Sequence, residues 1–64
     1  MKRGALLKHL RKNGCTLLRE GSSHSLWINT NTGTRETIPR HTEIDNVLAR
    51  KICRTLSVPI IGRS

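Results

Sequence analysis

Two turn signals divide the middle of the chain into three short segments with the character of β-strands. Gly21-Ser22-Ser23 and Thr30-Asn31-Thr32-Gly33 are rich in the residues that turns prefer. Pro39 ends the last of the three segments, because proline cannot donate a hydrogen bond to a strand ladder. The predicted strands, joined in antiparallel order, cover residues 15–20, 24–29 and 34–38.

The middle segment also predicts which face of the sheet is covered. Leu26 and Ile28 occupy alternate positions, which is the period-two pattern of a strand with one buried face. We expect both to face the core, with His24 on the same face at its edge. Trp27 is then expected on the opposite face, where it is available to stack on a nucleic-acid base or to contact a partner protein.

Amphipathic patterns on either side of the strands predict two helices, at about residues 2–13 and 43–56. Asn13-Gly14 ends the first helix, since a glycine just beyond a helix readily adopts the left-handed conformation. Before the second helix, Thr42 and Asp45 have the spacing of a capping box, with Asp in place of the usual Glu. The apolar residues that we expect to meet over the sheet are Leu6, Leu7 and Leu10 with Ile44, Leu48 and Ile52.

The order helix, three antiparallel strands, helix predicts an α+β domain with both helices on one face of the sheet. This α-β-β-β-α arrangement is the outline of a double-stranded-RNA-binding domain, and it leaves the other face open. The 64 residues suffice for a single domain, residues 1–64, with a thin core. Residues 60–64 are expected to form a loose tail. Such a small chain favours a surface site that acts on a large partner.

The chain carries a large excess of positive charge. Twelve Lys and Arg residues against four Asp and Glu residues give a net charge of +8, which favours a polyanion or an acidic protein as partner. Five cations lie on the first predicted helix, Lys8 and Lys12 among them, and form either a phosphate-binding surface or a solvated face. No segment approaches a membrane span of roughly 18 apolar residues, and no signal-peptide pattern opens the chain. We therefore expect a cytoplasmic protein without a membrane partner.

The cysteines and acidic residues do not have the spacing of a metal site. Cys15 and Cys53 lie far apart and in no Cys-x-x-Cys motif, so we expect buried ordinary thiols rather than zinc ligands. The acidic residues are too scattered for the carboxylate cluster of a two-metal nuclease. We therefore expect no metal and no cofactor.

The order of several short motifs resembles the HicA (YcfA-like) toxins of bacterial toxin–antitoxin pairs, from about Lys2 to Pro59. The resemblance rests on a basic opening helix followed by Asn13-Gly14, Gly21-Ser22-Ser23-His24, Ile38-Pro39-Arg40-His41 and Leu48-Ala49-Arg50-Lys51-Ile52-Cys53. It implies a small ribonuclease with a double-stranded-RNA-binding-like fold that cleaves messenger RNA and is held inactive by a HicB antitoxin.

The resemblance also implies that His24 is the catalytic histidine. One departure concerns the last helix, where relatives often carry a Lys and a Gly early and this chain has Asp45-Asn46. That difference argues against phosphate binding at the start of this helix.

RNA cleavage through the 2′-hydroxyl requires a base, an acid and cations near the phosphate. Histidine, whose side chain titrates near pH 6.5 in peptides, can serve as the base. His24 is the candidate, with a structural histidine at the edge of the core as the alternative. His41 is either a second, acidic group or a residue that closes the loop, and Arg40 is a candidate for phosphate contact. Ser22 and Ser23 are either turn residues or donors that orient a phosphate.

Three functional hypotheses remain open from the sequence. The first is a metal-independent endoribonuclease toxin. The second is a non-catalytic RNA- or ribosome-binding module of the same fold. The third is a chain that is chiefly one half of a protein complex, and it is compatible with the first because a toxin needs an inhibitor.

His9, among the cations of the first helix, is expected to be solvated.

Overall fold

A three-stranded antiparallel sheet is flanked in the chain by two helices, as predicted. The structure is a computed structural model that describes residues 1–61. The sheet has the strand order β1-β2-β3, and both helices pack against one of its faces. This confirms the α+β arrangement of a double-stranded-RNA-binding domain. The elements are α1 (Arg3–Lys12), β1 (Cys15–Glu20), β2 (His24–Asn29), β3 (Arg35–Pro39) and α2 (Asn46–Thr55).

The predicted phase of β2 is wrong. Ser25, Trp27 and Asn29 are buried under the helices, whereas Leu26 and Ile28 are half-buried on the other face. Two of the buried residues are polar but have hydrogen-bond partners, which removes the cost of burying them. For example, the Nδ2 of Asn29 donates to the carbonyl of Leu56 at 2.6 Å. Trp27 is the largest side chain of the core and is 1% exposed.

A β-bulge in β1 sets which side chains reach each face at this edge. Leu17 pairs with Trp27, but Arg19 rather than Leu18 pairs with Leu26, so Leu18 is the extra residue. Without the bulge, Arg19 would face the helices. With it, Arg19 lies on the uncovered face and Glu20 turns to the helical side, where it pairs with Ser25.

The ends of the helices follow from local caps, one of which was mispredicted. Gly14 has φ +89°, so the predicted stop of α1 is confirmed. α2 begins three residues later than predicted, because Asp45 is its N-cap: the carboxylate accepts from the N–H groups of Val47 and Leu48 at 3.0 and 3.4 Å. Thr42 does not cap the helix, and its carbonyl instead accepts from the N–H of Arg3 at 2.8 Å.

The core lies between the sheet and the two helices, and the chain after α2 extends it. Ile60 and Ile61 pack against the core, whereas the rest of the predicted tail lies outside the described residues. The fully buried large aliphatic side chains of the core are Leu6, Leu10, Ile38, Ile44, Ile52 and Leu56. Neither helix has the length and apolar character needed to cross a membrane, as far as the described residues go.

Both cysteines are buried free thiols, as predicted. Burial raises the pKa of the Cys15 thiol above its ordinary value, and the neighbouring Cys53 adds to the rise. Both therefore serve as small apolar side chains of the core, Cys15 from β1 and Cys53 from α2.

Candidate active site

His24 is the first residue of β2 and is exposed to solvent. It lies on the uncovered face because the next residue, Ser25, points into the core. Its cross-strand partner is Pro39, the last residue of β3. The imidazole is thus carried at a corner of the sheet, where the β1–β2 turn meets the end of β3, and is accessible to a large substrate.

The turn before His24 is tightly closed. The N–H of Gly21 donates to the carbonyl of His24 at 2.9 Å. A Cβ added at Gly21 would lie 2.8 Å from that carbonyl oxygen, a distance that side chains do not tolerate. Glycine is therefore required here by close approach of the backbone, and the turn fixes the position from which the histidine side chain projects.

Arg40 ties the same turn to the end of β3. Its Nη1 donates to the carbonyl of Gly21 at 2.9 Å, and its backbone N–H donates to the carbonyl of Ser23 at 3.2 Å. A guanidinium carries five N–H donors, so most of them remain for a ligand. The structure thus brings the predicted phosphate-contact residue to the turn that carries His24, where its positive charge can face an anion.

A polar network behind the histidine was not predicted. Arg3, in the first turn of α1, donates from Nε to the carbonyl of Pro39 and from Nη2 to the Oγ of Ser25, both at 2.8 Å. The hydroxyl of Ser25 donates to Glu20. Arg3 therefore links the ends of β2 and β3 on either side of His24. No local sequence signal could reveal it, since Arg3 and Pro39 are 36 positions apart.

The remaining candidates of the β1–β2 turn and the loop after β3 are exposed. Ser22 and Ser23 lie in the turn itself, two residues and one residue before His24. His41 follows Arg40 directly and is also exposed. The side chains of both serines and of His41 are therefore exposed, the serines in the turn itself and His41 one residue beyond the Arg40 N–H that donates to Ser23.

Four other residues singled out from the sequence lie away from this corner. Trp27 is buried and has the guanidinium of Arg11 over its ring at 5.1 Å, so the prediction that it stacks on a base or contacts a partner is wrong. Lys8 and Lys12 are exposed on α1, in the layer that covers the opposite face of the sheet. His9 is not simply solvated, since its Nε2 donates to the carbonyl of Pro59 at 2.6 Å.

The uncovered face, which we call the open face, is apolar at its centre and basic at its edges. Cross-strand pairing places Arg19 beside Leu26 and Arg35 beside Ile28. All four acidic side chains of the sequence lie elsewhere and are engaged: Glu20 with Ser25, Glu36 with Lys51, Glu43 with Lys2, and Asp45 at the N-terminus of α2. The open face consists of Thr16, Arg19, His24, Leu26, Ile28, Arg35, Thr37 and Pro39.

A comparison with protein families agrees with this architecture. The family described as the HicA toxin of bacterial toxin–antitoxin systems matches residues 5–58. The chain belongs to the HicA toxin family. It is therefore a toxin of a toxin–antitoxin system, and membership implies a cognate antitoxin as partner. Neither the curated proteins nor the solved structures contain a significant match to this HicA-family chain.

The matched region covers most of the candidate site. Residues 5–58 include the β1–β2 turn, His24 and Arg40. They also include the bulge in β1 that places Arg19 on the open face. Arg3, which anchors the site from behind, lies just before the matched residues. No three His, Cys, Asp or Glu side chains are grouped in a way that would hold a metal ion within residues 1–61.

Proposed function

We propose that this toxin is a metal-independent endoribonuclease that cleaves messenger RNA with His24 as the general base. The observation that carries the proposal is the placement of His24: it is exposed, follows a hydrogen-bonded turn to which the Arg40 guanidinium is bound, and lies on a face without a carboxylate. A phosphodiester that reaches this corner meets a titratable group and a fixed positive charge together.

The reaction uses the nucleophile that RNA carries. A ring nitrogen of His24 accepts the proton of a 2′-hydroxyl, and the 2′-oxygen then forms a bond to the adjacent phosphorus. The bond from phosphorus to the 5′-oxygen breaks, and that oxygen takes up a proton, which leaves a 2′,3′-cyclic phosphate. A histidine can supply roughly 10²- to 10⁴-fold of the acceleration by such proton transfer.

Arg40 supports this chemistry by electrostatics. The guanidinium is held on the Gly21 carbonyl, and its remaining donors can pair with the phosphate oxygens on which negative charge grows during attack. Ser22 and Ser23 add hydroxyl groups on the same turn. His41, the residue after Arg40, is the candidate for the acid that protonates the 5′-oxygen.

The partner that neutralises the toxin is proposed to be a HicB-type antitoxin. The exposed corner around His24 is accessible to a protein as well as to RNA. An antitoxin bound there would block cleavage directly. The proposed place of action is the cytoplasm, where messenger RNA is translated.

The second candidate function is a non-catalytic RNA- or ribosome-binding module. The observation that favours it is the number of exposed cations on α1 and on the open face, which support binding without any chemistry. Such a module would retain its activity in cells when His24 is replaced.

The test is a cleavage assay with matched histidine variants. Wild type, His24→Ala, His41→Ala and His9→Ala are incubated with a messenger RNA transcript under identical conditions. We expect His24→Ala to lose at least about 10²-fold in rate, and His9→Ala, which removes a histidine remote from the site, to remain active. Equal rates for wild type and His24→Ala would exclude His24 as the base. Bound but uncut RNA in every sample would favour the binding module.

A further inference from the structure

We propose that the open face of the sheet binds a single-stranded segment of the RNA substrate and leads it to His24. This inference rests on the proposed function for its substrate, but it concerns where the rest of that RNA lies. The double-stranded-RNA-binding outline by itself does not single out this face, so the assignment depends on the side chains found there.

The first argument is charge. Arg19 and Arg35 are exposed on the two outer strands, and neither guanidinium makes a hydrogen bond or ion pair within residues 1–61. The engagement of every carboxylate elsewhere leaves these two cations uncompensated. A polyanion is a partner that such a surface fits.

The bulge in β1 strengthens this argument. In a regular strand, Arg19 would point to the helical side and Glu20 would lie opposite His24 on the open face. A carboxylate there would repel a phosphate at the site of cleavage. The extra residue, Leu18, reverses both placements, so the bulge produces an open face that carries Arg19, His24 and Arg35 and no carboxylate.

The second argument is shape. Three strands span only about 10 Å across the sheet, and Leu26 and Ile28 lie half-buried at the centre of the open face. Domains that bind duplex RNA contact two successive minor grooves of the duplex. In domains that bind single strands, by contrast, unpaired bases can lie against the exposed face of a sheet. The two aliphatic side chains offer apolar contact to bases, and the flanking arginines reach the phosphates on either side.

The third argument is chemical. Attack by a 2′-hydroxyl requires that oxygen to align opposite the departing 5′-oxygen, and the reacting groups must be held in that geometry. A regular RNA duplex holds them out of line, while a single strand can be bent into line. A strand laid along β2 would present its backbone to His24 at the end of the same face.

The experiment measures RNA binding in the His24→Ala background, which keeps the RNA intact. The probes are a fluorescein-labelled unstructured RNA of 12 nucleotides and a blunt RNA duplex of 16 base pairs, titrated from 50 to 200 mM KCl. Two double variants, each of which removes two exposed cations, are compared: Arg19→Ala with Arg35→Ala on the open face, and Lys8→Ala with Lys12→Ala on α1.

We expect the parent to prefer the single strand. The open-face variant should lower the slope of log K against log salt by about 1.4, which is two contacts at about 0.7 each. If the phosphate contribution to RNA binding vanishes near 1 M salt, this difference in slope corresponds to about 60-fold weaker RNA binding by the open-face variant at 50 mM KCl. The α1 variant should change affinity by less than about threefold, because its cations are expected to contact no phosphate of the bound strand.

Equal losses in the two variants would show diffuse attraction to net charge and would overturn the proposal. A larger loss in the α1 variant, a preference for the duplex, or no binding by the parent at 50 mM KCl would do the same. Unchanged RNA binding in the open-face variant would also overturn the proposal and would favour a protein as the partner of this face. None of these results depends on cleavage, so failure of His24 catalysis in the separate assay is distinguishable from failure here.

Discussion

Ser25 is the residue whose replacement most directly tests the polar network behind His24. Its side chain is 1% exposed, and its Oγ accepts from Arg3 and donates to Glu20. Ser25→Ala removes both hydrogen bonds and leaves two charged groups at the edge of the core without that partner. Each unsatisfied group costs about 1–3 kcal/mol, but Arg3 and Glu20 retain access to water and to one another. We therefore expect a loss of about 2 kcal/mol in the free energy of unfolding.

That loss is large for a domain of this size. A 64-residue chain has a free energy of unfolding of about 3–10 kcal/mol, and 2 kcal/mol lowers the Tm of so small a domain by roughly 8–16 °C. The assay is thermal and urea unfolding followed by circular dichroism at 222 nm. Ser23→Ala is the matched control, because Ser23 is exposed and its hydroxyl makes no hydrogen bond within residues 1–61. Its effect should stay within about 0.5 kcal/mol.

Equal stability of the Ser25→Ala and Ser23→Ala variants would refute this reasoning. It would mean that Arg3 and Glu20 find other partners at no cost, and that the network does not hold the strand ends around His24. A loss in the expected range with an unchanged m-value would place the effect in the native contacts rather than in the unfolded chain.

Three further predictions follow from single contacts. Gly21→Ala places a Cβ 2.8 Å from the His24 carbonyl, so the turn must shift and RNA cleavage should fall about 10²-fold. Gly4→Ala, which meets nothing within 4 Å, should keep full activity, and equal rates would contradict the prediction. Trp27→Ala should cost about 3–5 kcal/mol and leave the chain largely unfolded by circular dichroism, whereas a folded variant with a Tm near wild type would contradict its place in the core. Because the pKa of the Cys15 thiol is raised from 9.0, the folded state should lose stability as pH rises above about 9, where only the unfolded thiol ionises. Urea unfolding at pH 8 and pH 10 should show this loss in wild type and a smaller one in Cys15→Ala, and identical pH dependence would contradict it.

The order of the elements could be predicted because its signals are local. The Gly21-Ser22-Ser23 turn and the Gly14 stop depend on residues next to them in the chain. The same holds for the apolar spacing of the helices. These signals are sufficient for the α-β-β-β-α arrangement and for the place of His24 directly after a turn, but not for the face on which it lies.

The phase of β2 could not be predicted from hydrophobic alternation alone. Leu26 and Ile28 lie on one face of β2 and Trp27 lies on the other. In the structure the face that carries the tryptophan packs against the helices. Ser25 and Asn29 are tolerated in the core because Arg3 and Leu56 supply partners 22 and 27 positions away. Hydrogen-bond partners so far apart in the sequence cannot be identified from the hydrophobic alternation of one strand.

The start of α2 and the support of the site were missed for a related reason. Lys2 and Glu43 form an isolated β-bridge that keeps the chain extended up to Asp45, and this bridge moves the cap from Thr42 to Asp45. Arg3 reaches the site from α1 through the same association of the start of the chain with the segment that precedes α2. Both features depend on tertiary pairing, which the period of a single segment cannot reveal.

The central claim is that His24 promotes attack by the RNA's own 2′-hydroxyl. The most direct measurement incubates wild type and His24→Ala in excess EDTA with an RNA oligonucleotide and with the same sequence 2′-O-methylated throughout, and determines the fragment ends by mass spectrometry. We predict fragments ending in a 2′,3′-cyclic phosphate from wild type on unmodified RNA alone. Cleavage of the methylated RNA, or equal cleavage by His24→Ala, would contradict the claim.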